Sequence, residues 1–155
     1  MEILIRKARI ADIKEIHGLI RMFTEEGQIL PRSLSELYDH LRDYFVCLDG
    51  ERNDKVLGTC AMHICWEDVA EIRSVAVHQE YQRRGIGAKL MDACLSEAIT
   101  LGIYKIFVLT YKPEFFEKFG FKRIDKAILP HKIWADCLKC VRFPDCDEIA
   151  MLLTL

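Results

Sequence analysis

Gln82-Arg83-Arg84-Gly85-Ile86-Gly87-Ala88 decides the fold, because of what stands on either side of it. Glu71-Ile72-Arg73-Ser74-Val75-Ala76-Val77 reads as a strand before it. Behind it, Ile86, Leu90, Ala93, Cys94, Glu97 and Leu101 follow the spacing of a helix with one buried stripe. A strand that passes through a basic, glycine-punctuated turn into a helix N-terminus is a cradle for phosphate. Gly85 and Gly87 let backbone approach an anion closely, the free N–H groups of the first turn point at it, and the helix dipole favours its charge. Arg83 and Arg84 add attraction for a polyanion.

The ligand class follows by comparison of patterns. A P-loop needs Gly-x-x-x-x-Gly-Lys followed by Ser or Thr, and no such pair follows Gly87. A dinucleotide fingerprint needs three glycines in the first strand–helix unit, whereas this pair stands near mid-chain. A helix start that merely packs closely is the plain alternative. Gln82, Gly85 and Gly87 resemble the acetyl-coenzyme A loop of the GNAT acetyltransferase superfamily, whose pattern is Gln or Arg, two residues, Gly, one residue, then Gly or Ala. Arg73-Ser74-Val75-Ala76-Val77-His78 resembles that family's fourth strand. The resemblance implies that Val75, Ala76 and Val77 meet the coenzyme arm through their backbone. It also implies that Gln82, Arg83, Arg84, Gly85, Ile86, Gly87 and Ala88 hold the pyrophosphate.

Composition sets the outer bounds. A chain of 155 residues is expected to be one domain with room for a core. Hydrophobic residues at 51% and charged residues at 30% are globular proportions. A net charge of −2 offers no basic field for nucleic acid, so attraction for phosphate must be local. No apolar run reaches membrane-span length, and Met1-Glu2-Ile3 opens directly into a strand, which leads us to expect a cytoplasmic protein.

Around the central unit the pattern alternates regularly. Residues 2–9 read as a strand, and Ile13, Ile16, Ile20 and Phe23 mark a helix with Asp12 and Glu15 placed like a capping box. Ser33 and Glu36 repeat that arrangement before Leu34, Leu37, Tyr38 and Leu41. Residues 44–48 and 56–64 read as a hairpin around a polar turn. Gly102 ends the helix after the glycine loop, residues 104–109 read as a buried strand, and Pro113 opens a short helix that Gly120 closes. Phe121 starts another strand, residues 130–146 are irregular, and residues 149–155 supply a closing strand. This order is that of the GNAT fold, an α/β (α+β) architecture. Its mixed, mostly antiparallel central sheet is splayed at the coenzyme site and flanked by helices.

The resemblance implies acetyl transfer from a thioester to an amine, with Glu71 as general base through water. A strand glutamate paired with a neighbouring cation is the structural alternative. Phe115-Phe116-Glu117-Lys118-Phe119-Gly120-Phe121 resembles the GNAT segment whose tyrosine protonates the leaving thiolate, but Phe116 stands at that position and has no proton to give. Tyr111 or water is left for that role, and Phe115 and Phe116 are expected in the core or against the coenzyme. For the acceptor, Arg6, Arg32 and Arg73 stand at a strand, a helix entry and the reaction strand. Arginine suits bidentate capture of carboxylate. Ile29-Leu30-Pro31-Arg32-Ser33 and Phe107-Val108-Leu109-Thr110 resemble short amino-acid N-acetyltransferases that make N-acetylglutamate for arginine biosynthesis. Arg6, Arg32, Ser33 and Arg73 are therefore the expected acceptor residues, and L-glutamate the expected acceptor. Another amine (a polyamine, an antibiotic or a protein N-terminus) and a non-catalytic coenzyme A sensor stay open, as does a homodimer.

Seven cysteines, an odd number with no export signal, argue against a disulfide framework. Cys47, Cys60, Cys65 and Cys94 sit in apolar stretches and read as small core residues. Cys137, Cys140 and Cys146 with His131 have the donor types for a structural zinc, although the spacing is not that of a standard finger. A redox pair and reduced structural thiols are the alternatives. His63 and His78 read as satisfied strand histidines.

Overall fold

The computed structural model describes residues 2–52, 55–129 and 147–155. Along the chain the elements are β1 (Ile3–Lys7), α1 (Ile13–Glu25), α2 (Leu34–Asp39), β2 (Tyr44–Asp49), β3 (Lys55–Trp66), β4 (Val69–Val77) and α3 (Ile86–Leu101). They continue as β5 (Lys105–Thr110), α4 (Pro113–Glu117), β6 (Lys122–Arg123) and β7 (Ile149–Thr154). The strands hydrogen-bond in the order β1-β2-β3-β4-β5-β7-β6. β1 with β2, β2 with β3, β5 with β7 and β6 with β7 are antiparallel, whereas β4 with β5 is parallel. The result is the expected mixed, mostly antiparallel α/β sheet. Among the described residues no helix is long and apolar enough to cross a membrane.

The chain divides into two compact units, Met1–Met62 with Ile72–Ala98 and His63–Glu71 with Ile99–Leu155. In the first, α1 lays Ile13, Ile16, Leu19, Ile20 and Phe23 into a core with Leu37, Tyr44, Val46, Leu48, Val56, Ala61 and Ala76. Those α1 positions recur every three or four residues, so one face of the helix is apolar and removing it from water is the main driving force. α3 buries Ile86, Leu90, Met91, Cys94 and Ala98. The buried stripe therefore includes Met91 and Ala98, whereas Leu101, expected inside, is half exposed. A Cβ on Gly58 of β3 would come within 3.1 Å of Leu90 and 3.2 Å of both the Ala76 carbonyl and Ile86. Glycine at this position lets α3 approach the strands closely, which sets the height of the helix N-terminus.

The two capping boxes read from sequence have different outcomes. Ser33 Oγ accepts the Glu36 N–H at 3.1 Å, so α2 begins as expected. At α1, Asp12 makes no side-chain cap. Its carboxylate turns back to accept the Arg9 N–H at 2.7 Å and two Arg6 guanidinium contacts at 2.7 and 3.2 Å. Glu15 reaches instead to the Val56 N–H at 3.0 Å, tying α1 to β3. Preceding residues claim Asp12, and a long-range donor claims Glu15.

Asp12 is buried beside Arg6. Burial acts to raise its pKa, but hydrogen bonds from Arg6 and the Arg9 N–H, with the charges of both arginines, hold it below the ordinary value. A depressed folded value adds stability that is complete above the unfolded value of about 3.9 and is lost as pH falls through the folded one. Arg6→Ala leaves that carboxylate without its main partner, which costs about 1–3 kcal/mol for a part-buried, charge-assisted bond. We expect a Tm lowered by several degrees in calorimetry near neutral pH. An unchanged Tm would show that the pair contributes nothing.

In the second unit, β5 and β7 pair from Lys105↔Thr154 to Thr110↔Ile149. Cys65, Val69, Phe107, Leu129 and Ala150 form the core, with Leu109, Ile124 and Leu152 packed on it. Tyr104, read as the start of a buried strand, is exposed and precedes β5. Pro113 occupies the first turn of α4, and Gly120 adopts φ +94° after it. The parallel register of β4 with β5 covers Val69–Glu71, although β4 itself runs on to Val77.

Candidate active site

The glycine loop lies within the first unit and is built by short-range contacts. The His78 N–H donates to the Leu57 carbonyl at 2.8 Å, and His78 Nδ1 accepts the Glu80 N–H at 3.3 Å. His78 thus starts the turn at Gln79–Tyr81 and is not a strand histidine as expected. The Gln82 amide donates to the Val77 carbonyl at 3.0 Å, closing the loop against the end of β4. Arg83 then adopts φ +65° and Gly85 φ +79°. At Gly85 a Cβ would meet no atom within 4 Å, so the glycine serves its left-handed backbone there and not crowding.

α3 follows at once. The Gly85 carbonyl accepts the Lys89 N–H at 3.1 Å, so the N–H groups of Ile86, Gly87 and Ala88 precede the first helical donor. Left-handed residues before a run of such donors form a concavity that suits an anion. The net charge of −2 hides a local basic group. The Arg84 guanidinium lies 5.3 Å and Lys55 Nζ 5.8 Å from the Tyr81 ring centroid, and Arg52 Nη1 donates to the Tyr81 hydroxyl at 3.2 Å. Buried Tyr81 gathers cations at the loop, and sequence reading had credited it with nothing. These residues fit a pyrophosphate. Gly87→Leu is expected to weaken coenzyme A binding about ten- to a hundredfold, the loss of one charge-assisted hydrogen bond or more. Calorimetric titration of the folded variant measures this, and unchanged affinity would move the anion elsewhere.

Among the expected acceptor residues, Arg32 and Arg73 are half-buried. Arg32 Nη1 lies 3.4 Å from Glu36, and the Ser33 hydroxyl is engaged in capping α2. Arg6 is held by Asp12, as described above, which gives it a structural task first. Both Arg32 and Arg73 act on a residue sequence reading had passed over as the start of a strand. Tyr44 is buried, which pushes its phenol above the ordinary value. A hydrogen bond with Ser74 and then the charges of Arg32 and Arg73 pull it back, and Asp43 adds a smaller upward push.

Glu71 is half-buried on β4, two residues before Arg73, and stands opposite Phe107 in the register with β5. Phe116 is buried and meets Phe115 and Phe121 edge to face at 5.0 and 5.5 Å between centroids, so it is a core residue. Tyr111 donates to Asp147 at 2.6 Å, which commits its proton. Cys47, Cys60, Cys65 and Cys94 are buried and unbridged, as expected. Burial pushes Cys47 up to about 11, so it stays a thiol. The zinc residues read from sequence, His131, Cys137, Cys140 and Cys146, lie outside the described residues.

The profile of the acetyltransferase (GNAT) family matches residues 13–121. An uncharacterized N-acetyltransferase of Chlorobaculum tepidum is 38% identical over 97% of this chain and 96% of its own length. An amino-acid acetyltransferase of Mycobacterium tuberculosis is 35% identical over 78% of this chain and 69% of its own. The crystal structure of N-acetylglutamate synthase from Neisseria gonorrhoeae, complexed with coenzyme A and N-acetyl-glutamate, superimposes with a TM-score of 0.89. It is 26% identical, and the match covers 100% of this chain and 35% of that one.

Proposed function

Because this chain belongs to the GNAT acetyltransferase family, we propose that it transfers acetyl from acetyl-coenzyme A to the amino group of L-glutamate. The observation that carries the acceptor is a pair of half-buried arginines, Arg32 and Arg73, whose charges both reach the buried Tyr44 phenol. Two guanidinium groups near one point favour an anionic substrate and repel a polyamine. The names of the Mycobacterium and Neisseria proteins support an amino-acid acceptor and coenzyme A as its partner in the reaction. N-acetylglutamate as product places the enzyme in arginine biosynthesis.

The residues divide the work as follows. The loop from Gln82 to Ala88 holds the pyrophosphate at the start of α3. Backbone N–H groups of Val75, Ala76 and Val77 orient the pantetheine arm and thioester carbonyl. Arg32 and Arg73 hold the acceptor by its carboxylates, and Glu71 takes a proton from its ammonium through water. The amine nitrogen then bonds the thioester carbon, gives up its second proton to water, the C–S bond breaks, and the thiolate leaves. A free thiol titrates near 8.5, so the thiolate is a tolerable leaving group without Phe116 or Tyr111 as acid, and water protonates it.

A thiol-release assay with acetyl-coenzyme A across the amino acids and several amines tests this reading. Release is expected with L-glutamate above all others. Release only with spermidine or lysine would leave an acetyltransferase and remove the glutamate assignment.

A further inference from the structure

We propose that the hydroxyl pair Tyr44–Ser74 is part of the acceptor site and donates a hydrogen bond to a substrate carboxylate lying between Arg32 and Arg73. This rests on the acceptor reading above and adds two residues that neither sequence pattern nor family resemblance had assigned.

Tyr44 opens β2 with its side chain 3% exposed. Its hydroxyl lies 3.3 Å from Ser74 Oγ on β4, a contact that must cross the intervening β3. Opposite Tyr44 in the β2–β3 register stands Ala61, small enough to let the ring pass, and both residues belong to the same core. Ser74 itself adopts φ +55° within a strand. A left-handed non-glycine residue is costly there, and such residues persist where the surrounding structure needs a side chain turned in an unusual direction. Here the turn brings Oγ to the phenol.

The two hydroxyls carry two protons, and the bond between them uses one. The other has no acceptor in hydrogen-bond range among the described residues. At the phenol, the charges of Arg32 and Arg73 each outweigh that of Asp43. An O–H with its proton to give, on the buried Tyr44 or the half-buried Ser74 and in a positive potential, is complementary to a carboxylate and not to an ammonium. The pair also discriminates. Glutamine keeps the shape of glutamate but offers these donors a weaker, neutral acceptor at its side chain.

Steady-state kinetics of Tyr44→Phe, Ser74→Ala and the double variant test the assignment, with L-glutamate as acceptor and circular dichroism as the folding control. Tyr44→Phe is expected to raise the glutamate KM about ten- to a hundredfold, the effect of one hydrogen bond to a charged group. The acetyl-coenzyme A KM and kcat are expected to move less than about threefold, since the lost bond is equally strong in ground and transition states. The double variant is expected to be no worse than the worse single one, because both break one unit. Ser74→Gly keeps the left-handed backbone while removing the hydroxyl, so it answers the question if Ser74→Ala fails to fold. An unchanged glutamate KM in folded Tyr44→Phe or Ser74→Gly overturns the proposal, as does a loss confined to acetyl-coenzyme A. Failure of the underlying acceptor reading is seen separately, in a wild-type enzyme that turns over no carboxylate-bearing acceptor.

Discussion

Glu71→Gln is expected to lower kcat by about two to four powers of ten while acetyl-coenzyme A affinity stays within about twofold. The substitution keeps shape and removes only the ability to take a proton, so its effect isolates that step. Because free amine becomes abundant as pH rises, the deficit is expected to shrink toward alkaline pH. A structural glutamate gives a different pattern, with lower stability, a shifted KM and no relief at high pH. Glu71 stands on β4 where its parallel pairing with β5 ends, two residues before Arg73. Wild-type turnover in the variant at neutral pH would assign the base elsewhere.

Arg73→Ala is expected to raise the glutamate KM by two or more powers of ten, and Arg32→Ala by a similar or smaller amount. Truncating one partner of a hydrogen-bonded charge pair costs about 2–5 kcal/mol. Arg32 shares its charge with Glu36 at 3.4 Å, so part of its contribution is already committed. Arg73→Lys separates charge from geometry. A lysine restores a point charge but not the planar fork that matches a carboxylate, and only partial recovery is expected. Full activity on glutamate in Arg73→Ala would remove this residue from the acceptor site.

The strand–loop–helix unit was legible because its signals are local. Apolar periodicity, a glycine pair at a helix start, and a left-handed helix stop at Gly102 (φ +81°) all act within a few residues. The capping box at Ser33 was legible for the same reason, since Ser33 and Glu36 meet each other. Asp12 and Glu15 have the same spacing and were misread, because Arg6, six residues back, claims Asp12 and the Val56 N–H reaches Glu15 from β3. Arg6 illustrates the wider difficulty. Placing an arginine on a strand does not show which carboxylate it meets, and here a buried one was already waiting six residues away.

Tyr44 and Ser74 carry no local mark at all. Serine does not announce a positive φ, and a tyrosine at a strand start reads as ordinary β-propensity. Their meeting depends on the order of β2, β3 and β4 and on a small residue between them. The basic group around Tyr81 was half visible: Arg84 belongs to the loop motif, whereas Arg52 and Lys55 arrive from the β2–β3 turn and strand start. Such convergence follows from topology and is absent from any window of sequence.

The central claim is that this acetyltransferase acts on an anionic amino acid, and a competition experiment tests it most directly. Purified enzyme is given limiting acetyl-coenzyme A with equimolar L-glutamate, L-glutamine, L-lysine and spermidine, and the acetylated products are resolved by mass. N-acetylglutamate is expected as the dominant product, with N-acetylglutamine well below it and the cationic acceptors lower still. Dominant acetyl-lysine or acetylspermidine would contradict the account.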